Sequence, residues 1–143
     1  MRILALDYGT VRVGVAVSDE LQTIAQPLEF IPAEPFPDFL GRLQVILREK
    51  EVGLILVGLP KNMDGTLGPA ARKVQTFVTA LAPAVTVPIK VMDERLTSVQ
   101  ANRLLIQAGM RRERRRQKVD QTAAAILLQA YLDGLGGGAI PPR

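Results

Sequence analysis

The chain has 143 residues, of which 48% are hydrophobic, so it can bury a sizeable core and is expected to form one domain. Because the sequence contains neither Cys nor His, disulfides, thiolate or imidazole metal sites, His general bases and Ser-His-Asp triads are excluded, and any metal ion must be a hard cation such as Mg²⁺ or Mn²⁺ held by oxygen ligands. The net charge of +4 comes from one basic segment, RRERRRQK at residues 111–118, and such segments commonly meet polyanions.

The first part of the chain predicts three strands. Residues Arg2 to Ser18, RILALDYGTVRVGVAVS, predict a hairpin: a short apolar run ends on Asp7, and a turn follows in which Gly9 can take positive φ. Valines then recur at every second position, which is typical of a strand with one buried face. A third strand, predicted over Thr23 to Phe30, contains a proline and is therefore expected at the edge of the sheet.

Helices and strands alternate through the middle of the chain. Asp38 is predicted to cap a helix that runs to about Lys50, and the continuously apolar residues 54–57 predict a central strand buried on both faces. Pro69 suits the first turn of a second helix, and residues 85–92 predict the next strand.

The last third of the chain predicts two further helices. A capping-box pattern predicts a helix over Ser98 to Ala108, and a final helix is predicted over Val119 to Asp133, where Gly134 ends it. The remaining residues, 135–143, are expected to form a flexible tail. The order of elements predicts an α/β domain over residues 1–134, in which a mixed sheet carries helices on both faces.

Acidic side chains are predicted to gather at the carboxyl ends of the strands, where open α/β sheets bind ligands. Asp7 ends the first strand, Asp93 and Glu94 end the last strand, and Asp120 begins the final helix. Each has a simpler interpretation: Asp7 as a cap of the turn, the Asp93–Glu94 pair as surface partners of Arg95, and Asp120 as an acid that stabilises a helix dipole. Together, acids that converge in a chain without His, beside a basic segment, are typical of a metal site that acts on phosphate.

The segment at residues 58–68, GLPKNMDGTLG, follows the central strand and predicts a loop, because it is dense in Gly, Pro, Asn and Asp. Its backbone N–H groups, with the helix N-terminus near Pro69, can bind a phosphate, although a plain connector with a helix cap has the same composition. The candidate phosphate-loop residues are Gly58, Pro60, Asp64, Gly65 and Thr66.

Members of the YqgF/RuvX family, which are Holliday junction resolvases and nucleases of pre-16S rRNA, resemble this chain in four segments: LALDYGTVRVGVAVSD, VGLPKNMDGTLGPAA, DERLTSVQA and KVDQTAAAILLQAYLDG. The match covers about residues 1 to 134, in the same order and at similar spacing. The resemblance implies a ribonuclease H-like fold with a five-stranded mixed sheet, three antiparallel strands and then two parallel ones. In that sheet, strand four lies between strands one and five.

The resemblance also implies that Asp7, Glu94 and Asp120 are the catalytic acids and hold two Mg²⁺ or Mn²⁺ ions. In the implied strand order, strands one and five are two spacings apart, roughly 9–10 Å. The longer side chain of Glu94 spans that gap better than Asp93, which would pair with Arg95 or with a backbone group.

Two basic features are candidates for contacts with nucleic acid. Lys61 stands where the family usually has an apolar residue, and it can add a contact to phosphate. In the basic segment, five arginines have only Glu113 among them as a partner, which predicts a loop that clamps the substrate backbone, with a solvated loop as the simpler alternative. The candidate nucleic-acid-binding residues are Arg111, Arg112, Arg114, Arg115, Arg116, Lys118, Lys61 and Asn62.

The function that these features imply is metal-assisted hydrolysis of phosphodiester bonds in structured nucleic acid, either a four-way DNA junction or the 5′ end of pre-16S rRNA. Two other interpretations stay open. One is a non-catalytic RNA-binding ribosome assembly factor. The other is an ATP-binding phosphotransferase of the actin/Hsp70-like superfamily, whose first phosphate loop resembles DYGT but whose second loop of that kind is missing from this sequence.

The sequence also allows expectations about the oligomeric state of the protein and its location in the cell. A homodimer is expected, because a symmetric junction presents two equivalent scissile positions that a two-fold dimer would match. The start MRILALDYG does not have the pattern of a signal peptide, and no apolar run nears the roughly 20 residues of a membrane span. We therefore expect a cytoplasmic protein without membrane contacts.

Overall fold

The computed structural model of the chain describes residues 1–97 and 122–136. Within these residues, five strands form one sheet, and three α-helices pack against it. The strands are β1 (Arg2–Tyr8), β2 (Arg12–Ser18), β3 (Ala25–Pro32), β4 (Val52–Leu59) and β5 (Ile89–Asp93). The helices are α1 (Phe36–Glu49), α2 (Pro69–Leu81) and α3 (Ala123–Gly136). None of these helices combines the length and the apolar character needed to cross a bilayer.

The strand order in the sheet is β3-β2-β1-β4-β5. The β1–β2 and β2–β3 pairs are antiparallel, whereas the β1–β4 and β4–β5 pairs are parallel. Parallel pairs need a crossover, and α1 and α2 supply it before β4 and before β5. The predicted mixed sheet of three antiparallel and two parallel strands is therefore confirmed, with β4 between β1 and β5 and with β3, which contains Pro27, at one edge.

Helices cover both faces of the sheet, as predicted. Successive residues of β1 point to opposite faces, so Leu4 and Leu6 join the core under α1 and α2, while Ile3 and Ala5 join a second core under α3. The side chain of Leu128 on α3 belongs to this second core and is fully buried. We call the two sides of the sheet the α1/α2 face and the α3 face.

The prediction that β2 has only one buried face is wrong. Val13 and Val15 pack on the α1/α2 face, but Ala16 between the valines is also fully buried, because α3 packs against the other face. Gly9 is needed for a different reason than predicted. Positive φ occurs at Gly65 among the described glycines and not at Gly9, whose added Cβ would lie 2.7 Å from the carbonyl oxygen of Arg12.

Several element boundaries differ from the prediction. Helix α1 begins at Phe36, after Pro35, and no side chain caps it. Asp38 therefore lies in the first turn of the helix, where its negative charge interacts favourably with the helix dipole but does not form the predicted cap. Strand β3 runs from Ala25 to Pro32, two residues later than predicted, and β5 begins at Ile89 because Pro88 delays it.

The segment predicted as a loop at residues 58–68 begins two residues later, because β4 continues through Leu59. Helix α3 begins at Ala123 and not at Val119, since the hydroxyl of Thr122 accepts a hydrogen bond from the backbone N–H of Ala125 at 3.2 Å and caps the helix. It continues past Gly134 to Gly136, so the first two residues of the predicted tail are helical. The helix predicted over Ser98 to Ala108, the basic segment and residues 137–143 lie outside the described residues.

Candidate active site

Two carboxylates lie on the α3 face at the carboxyl end of the parallel strands. Asp7 is the penultimate residue of β1, and it has the same orientation as Ile3 and Ala5, which pack under α3. Glu94 follows the last residue of β5 and begins a short 3₁₀ turn over Glu94–Leu96. The structure thus brings together two of the three acids that the family resemblance implied.

Glu94 reaches the α3 face because β4 has no side chain at Gly58. A Cβ atom added at Gly58 would lie 2.8 Å from Glu94 Oε2, 3.1 Å from Glu94 Cγ and 3.1 Å from Leu127 of α3. The Glu94 carboxylate therefore lies directly over the Gly58 backbone, between the sheet and α3, and Glu94 is only 2% exposed. Gly58, which was predicted as a phosphate-loop residue, belongs to β4 instead. Its part in the site is one that the sequence did not indicate: it leaves room for the Glu94 side chain.

Asp7 lies beside the same position. The parallel pairing of β1 and β4 places Leu6 opposite Val57, so one residue further along each strand Asp7 is next to Gly58. Neighbouring strands are about 4.8 Å apart. The side chains of Asp7 and Glu94 therefore lie on the same face of the sheet at the carboxyl ends of β1 and β4, and the Glu94 carboxylate lies over the backbone of Gly58.

The neighbouring acid, Asp93, is engaged elsewhere. Its carboxylate accepts hydrogen bonds from Arg95 Nη2 at 2.7 Å and from the Arg95 backbone N–H at 2.9 Å, and Lys61 Nζ lies 3.9 Å away. These bonds, the Arg95 side chain first, hold the pKa of Asp93 below its usual value. The predicted pairing of Asp93 with Arg95 is confirmed, and it leaves Glu94 as the acid of this pair that lies on the α3 face.

The loop after β4 is held together by its own polar groups. The backbone N–H of Asn62 donates to the Thr66 carbonyl, that of Gly65 donates to the Asn62 carbonyl, and that of Thr66 donates to Asp64 Oδ1 at 3.0 Å. The Thr66 hydroxyl also donates to Asp64 at 2.7 Å, and this bond is the main cause that lowers the pKa of the Asp64 carboxyl. Three N–H groups of the predicted phosphate loop are thus already bonded within it, and an ionised carboxylate lies among them, which argues against a phosphate cradle here.

The N-terminus of α3 lies at the same end of the sheet as Asp7 and Glu94. Leu127 is next to Gly58, and Tyr131, one turn later, has its ring 5.2 Å from Nζ of Lys90. Lys90 precedes, by two residues, the partner of Gly58 in β5, so α3 runs antiparallel to β4. Its first residue, Ala123, therefore lies towards the carboxyl end of β4.

The third predicted acid, Asp120, lies outside the described residues and precedes the cap residue Thr122 by two positions. Among the described residues, no three acidic side chains are placed together to hold a metal ion. Asp7 and Glu94 nevertheless supply carboxylate oxygens, which are the ligands that Mg²⁺ and Mn²⁺ take in proteins. The donor set of this corner of the sheet therefore fits a hard divalent cation.

The strand order, with three antiparallel and then two parallel strands, defines the class of ribonuclease H-like folds. A family model described as RuvX, Holliday junction resolvase, matches residues 1–134, and the chain belongs to the RuvX family. A protein of Thermoanaerobacter pseudethanolicus is 48% identical over 134 residues, 93% of this chain and 96% of that protein. One of Moorella thermoacetica is 45% identical over 140 residues, 98% of this chain and 100% of that protein. Both carry the name "Putative pre-16S rRNA nuclease".

The fold is also found among solved structures. The RuvC protein of T. thermophilus, solved in complex with a Holliday junction substrate, superimposes with a TM-score of 0.59 over 99% of each chain. The sequences of the two chains are 17% identical, so this similarity shows the fold alone.

Proposed function

We propose that this protein is a divalent-metal-dependent endonuclease that hydrolyses phosphodiester bonds in structured nucleic acid, with residues 1–134 as its nuclease domain. The observation that carries the proposal is the buried carboxylate of Glu94, which lies over Gly58 on the same face and at the same end of the sheet as Asp7. Membership of the RuvX family supports the same reaction class.

The proposed roles of Asp7 and Glu94 are supported by their positions, and that of Asp120 rests on the family resemblance. Asp7, on the central strand β1, is the proposed central ligand of two Mg²⁺ or Mn²⁺ ions, and Glu94 and Asp120 complete the ligand set. Such ions, when bound, activate water and stabilise the leaving oxygen of a phosphodiester, so the chain needs no His base. Gly58 keeps the path of the Glu94 side chain open, and Arg95 holds Asp93 away from the site.

The proposal is tested by incubating the purified protein with Mn²⁺ and a panel of substrates: a four-way DNA junction, duplex DNA and a precursor of 16S rRNA. Cleavage of a structured substrate that stops when the metal is chelated supports it. Binding without cleavage would favour the non-catalytic assembly factor, and micromolar ATP binding would favour the phosphotransferase.

Of the two candidate substrates, the 5′ end of pre-16S rRNA is favoured by the relatives, which are 42–48% identical and named as nucleases of this RNA. Such a substrate implies that the protein works in the cytoplasm. The four-way junction is the second candidate, because the family model is described as a Holliday junction resolvase. The panel separates the two by which substrate is cut at the lower protein concentration.

We propose that the basic segment at residues 111–118, just before Asp120 in the sequence, binds the substrate backbone. Each phosphate contact contributes about 0.9 to the slope of log affinity against log salt on duplex DNA. Changing Arg114, Arg115 and Arg116 together to Ala is therefore expected to lower that slope by up to about 3, with little change in sequence preference. Binding is measured by fluorescence anisotropy at several salt concentrations.

The matched control for this triple variant is Arg48→Ala, which removes an exposed cation from the last turn of α1, near the amino end of β4. The control variant is expected to keep the wild-type slope. Unchanged affinity and slope in the triple variant would show that the basic segment does not bind the backbone.

A homodimer is the proposed working form on a junction, because two equivalent scissile positions are related by a two-fold axis. Multi-angle light scattering of the protein with a four-way junction is expected to give two chains per junction. A single chain per junction, at concentrations where the junction is saturated, would contradict the dimer.

A further inference from the structure

An exposed aromatic ring lies across the sheet from Asp7. Phe30 is 46% exposed although it belongs to β3, and it pairs with Gly14 of β2, which in turn pairs with Asp7 of β1. The three residues thus form one row across three neighbouring strands on the α3 face. A large apolar side chain at this position has no role in the two cores described above.

Gly14 allows the ring to lean towards Asp7. A Cβ atom added at Gly14 would lie 3.3 Å from Phe30 Cε1 and 3.7 Å from Asp7 Cβ. The Phe30 ring and the base of the Asp7 side chain therefore flank the same point, where any side chain larger than hydrogen would separate them. The aromatic ring and the proposed metal ligand are thus on the same face of the sheet, on either side of Gly14.

The exposed Phe30 ring is in contact with the positively charged side chain of Arg12. The guanidinium carbon of Arg12 lies 3.9 Å from the centroid of the Phe30 ring, which is a cation–π contact. No ion pair joins Arg12 to a carboxylate among residues 1–97 and 122–136. The planar guanidinium of Arg12, stacked on the exposed Phe30 ring, combines a flat stacking surface with a positive charge, on the same face of the sheet as the proposed metal ligands.

We propose that the Arg12–Phe30 stack binds an unpaired nucleobase, together with its phosphate, of a nucleotide next to the scissile bond. Unstacked bases are recognised by stacking on aromatic rings or Arg guanidinium planes, while the charge of Arg contacts the backbone. A base inside a duplex is already stacked on both sides and cannot use this surface. The inference rests on the proposed nuclease function, and it adds a preference for unpaired nucleotides at the cleavage position.

The test uses binding in the presence of a metal chelator, so that it does not depend on cleavage. The probes are a single-stranded RNA that carries 2-aminopurine, whose fluorescence falls when it stacks, and a fully paired duplex. Phe30→Leu is expected to weaken binding of the single strand by roughly 5- to 150-fold and to abolish the quenching, with little effect on the duplex. Arg12→Ala is expected to reduce the quenching and to lower the salt slope on the single strand by about 0.7. Arg12→Lys is expected to restore the slope but not the quenching, because Lys keeps the charge and lacks the planar guanidinium.

Matched controls remove the same groups elsewhere. Phe36→Leu truncates a partly buried ring on the α1/α2 face, and Arg48→Ala removes an exposed cation at the other end of the sheet; neither is expected to change quenching. If wild type binds and cleaves while the Phe30 and Arg12 variants quench and bind as wild type does, the stacking inference is wrong and the nuclease proposal stands. If wild type neither binds nor cleaves any probe, both are wrong.

Discussion

Asp7→Asn is expected to abolish metal-dependent cleavage while the variant still binds its substrate at least as tightly as wild type. Asn has nearly the same size as Asp, so the packing of β1 under α3 is kept, but it lacks the charge that holds a divalent cation. Loss of electrostatic stabilisation at the reacting phosphate is expected to lower the rate by at least about 100-fold. Removing a negative charge close to a polyanion weakens repulsion and does not reduce affinity.

The cleavage rate is measured in single-turnover reactions with Mn²⁺, and the affinity for substrate is measured by fluorescence anisotropy in the presence of a chelator. The matched control is Asp93→Asn, which removes the same charge one residue before Glu94, where the carboxylate is bonded to Arg95 and not directed to the α3 face. This control is expected to keep most of the activity. Cleavage by the Asp7 variant at the wild-type rate would remove Asp7 from the metal site.

The stability of the same variant gives an independent check. Asp7 and Glu94 are two acids that share one face of the sheet, and like charges at close range repel each other when no metal is bound. Without metal, Asp7→Asn is therefore expected to melt no lower than wild type. With saturating Mn²⁺, wild type is expected to gain stability and the variant to gain little, because only a protein that binds the ion is stabilised by it.

The sheet could be predicted from local patterns where those patterns are strong. The apolar residues of β4 predicted a central strand, and Ile55, Leu56 and Val57 are fully buried. The pattern of β2 was misleading because Gly14 and Ala16 between the valines resemble the exposed positions of a one-sided strand. In the structure these small residues leave room for the Phe30 ring and for α3. Small residues do not reveal from sequence alone whether water or another element lies over them.

The site could be predicted only in part for a related reason. Asp7 follows an apolar run and Glu94 comes one residue after the end of β5, so their place at the ends of strands is a local signal. Gly58 precedes Leu59 and Pro60, and that composition resembles the start of a loop. Its contact with Glu94 depends on the register of β4 against β5, and the position of Phe30 beside Asp7 depends on two further strand pairings. These contacts between distant segments have no local signature.

Gly58→Ala is the substitution expected to reveal this arrangement. The added methyl would lie 2.8 Å from Glu94 Oε2 and 3.1 Å from Leu127, so the Glu94 side chain must move, and it has little space because it is 2% exposed. A displacement of about 1 Å at a catalytic group can lower the rate about 100-fold. We expect a fall in cleavage of that order together with weaker Mn²⁺ binding, and a destabilisation of about 1–3 kcal/mol from overpacking.

The control is Gly41→Ala in α1, where an added Cβ meets nothing within 4 Å. This change is expected to leave cleavage unaltered and to raise stability by about 0.5–1 kcal/mol, since Ala is the better helix former. The assays are made well below the melting temperature of each variant, so that unfolding does not imitate a loss of activity.

A double-mutant cycle then assigns the effect to Glu94. If Gly58→Ala acts by moving the Glu94 carboxylate, it weakens Mn²⁺ binding in the wild-type background but has little further effect once Glu94→Gln has removed the charge. Equal losses in both backgrounds would mean that the added methyl disturbs the sheet or α3 and not the ligand. Gly58 pairs with Met92 of β5, two residues before Glu94, so the two side-chain positions are in contact. A large coupling energy between the two substitutions would therefore identify the carboxylate over Gly58 as a ligand of the metal.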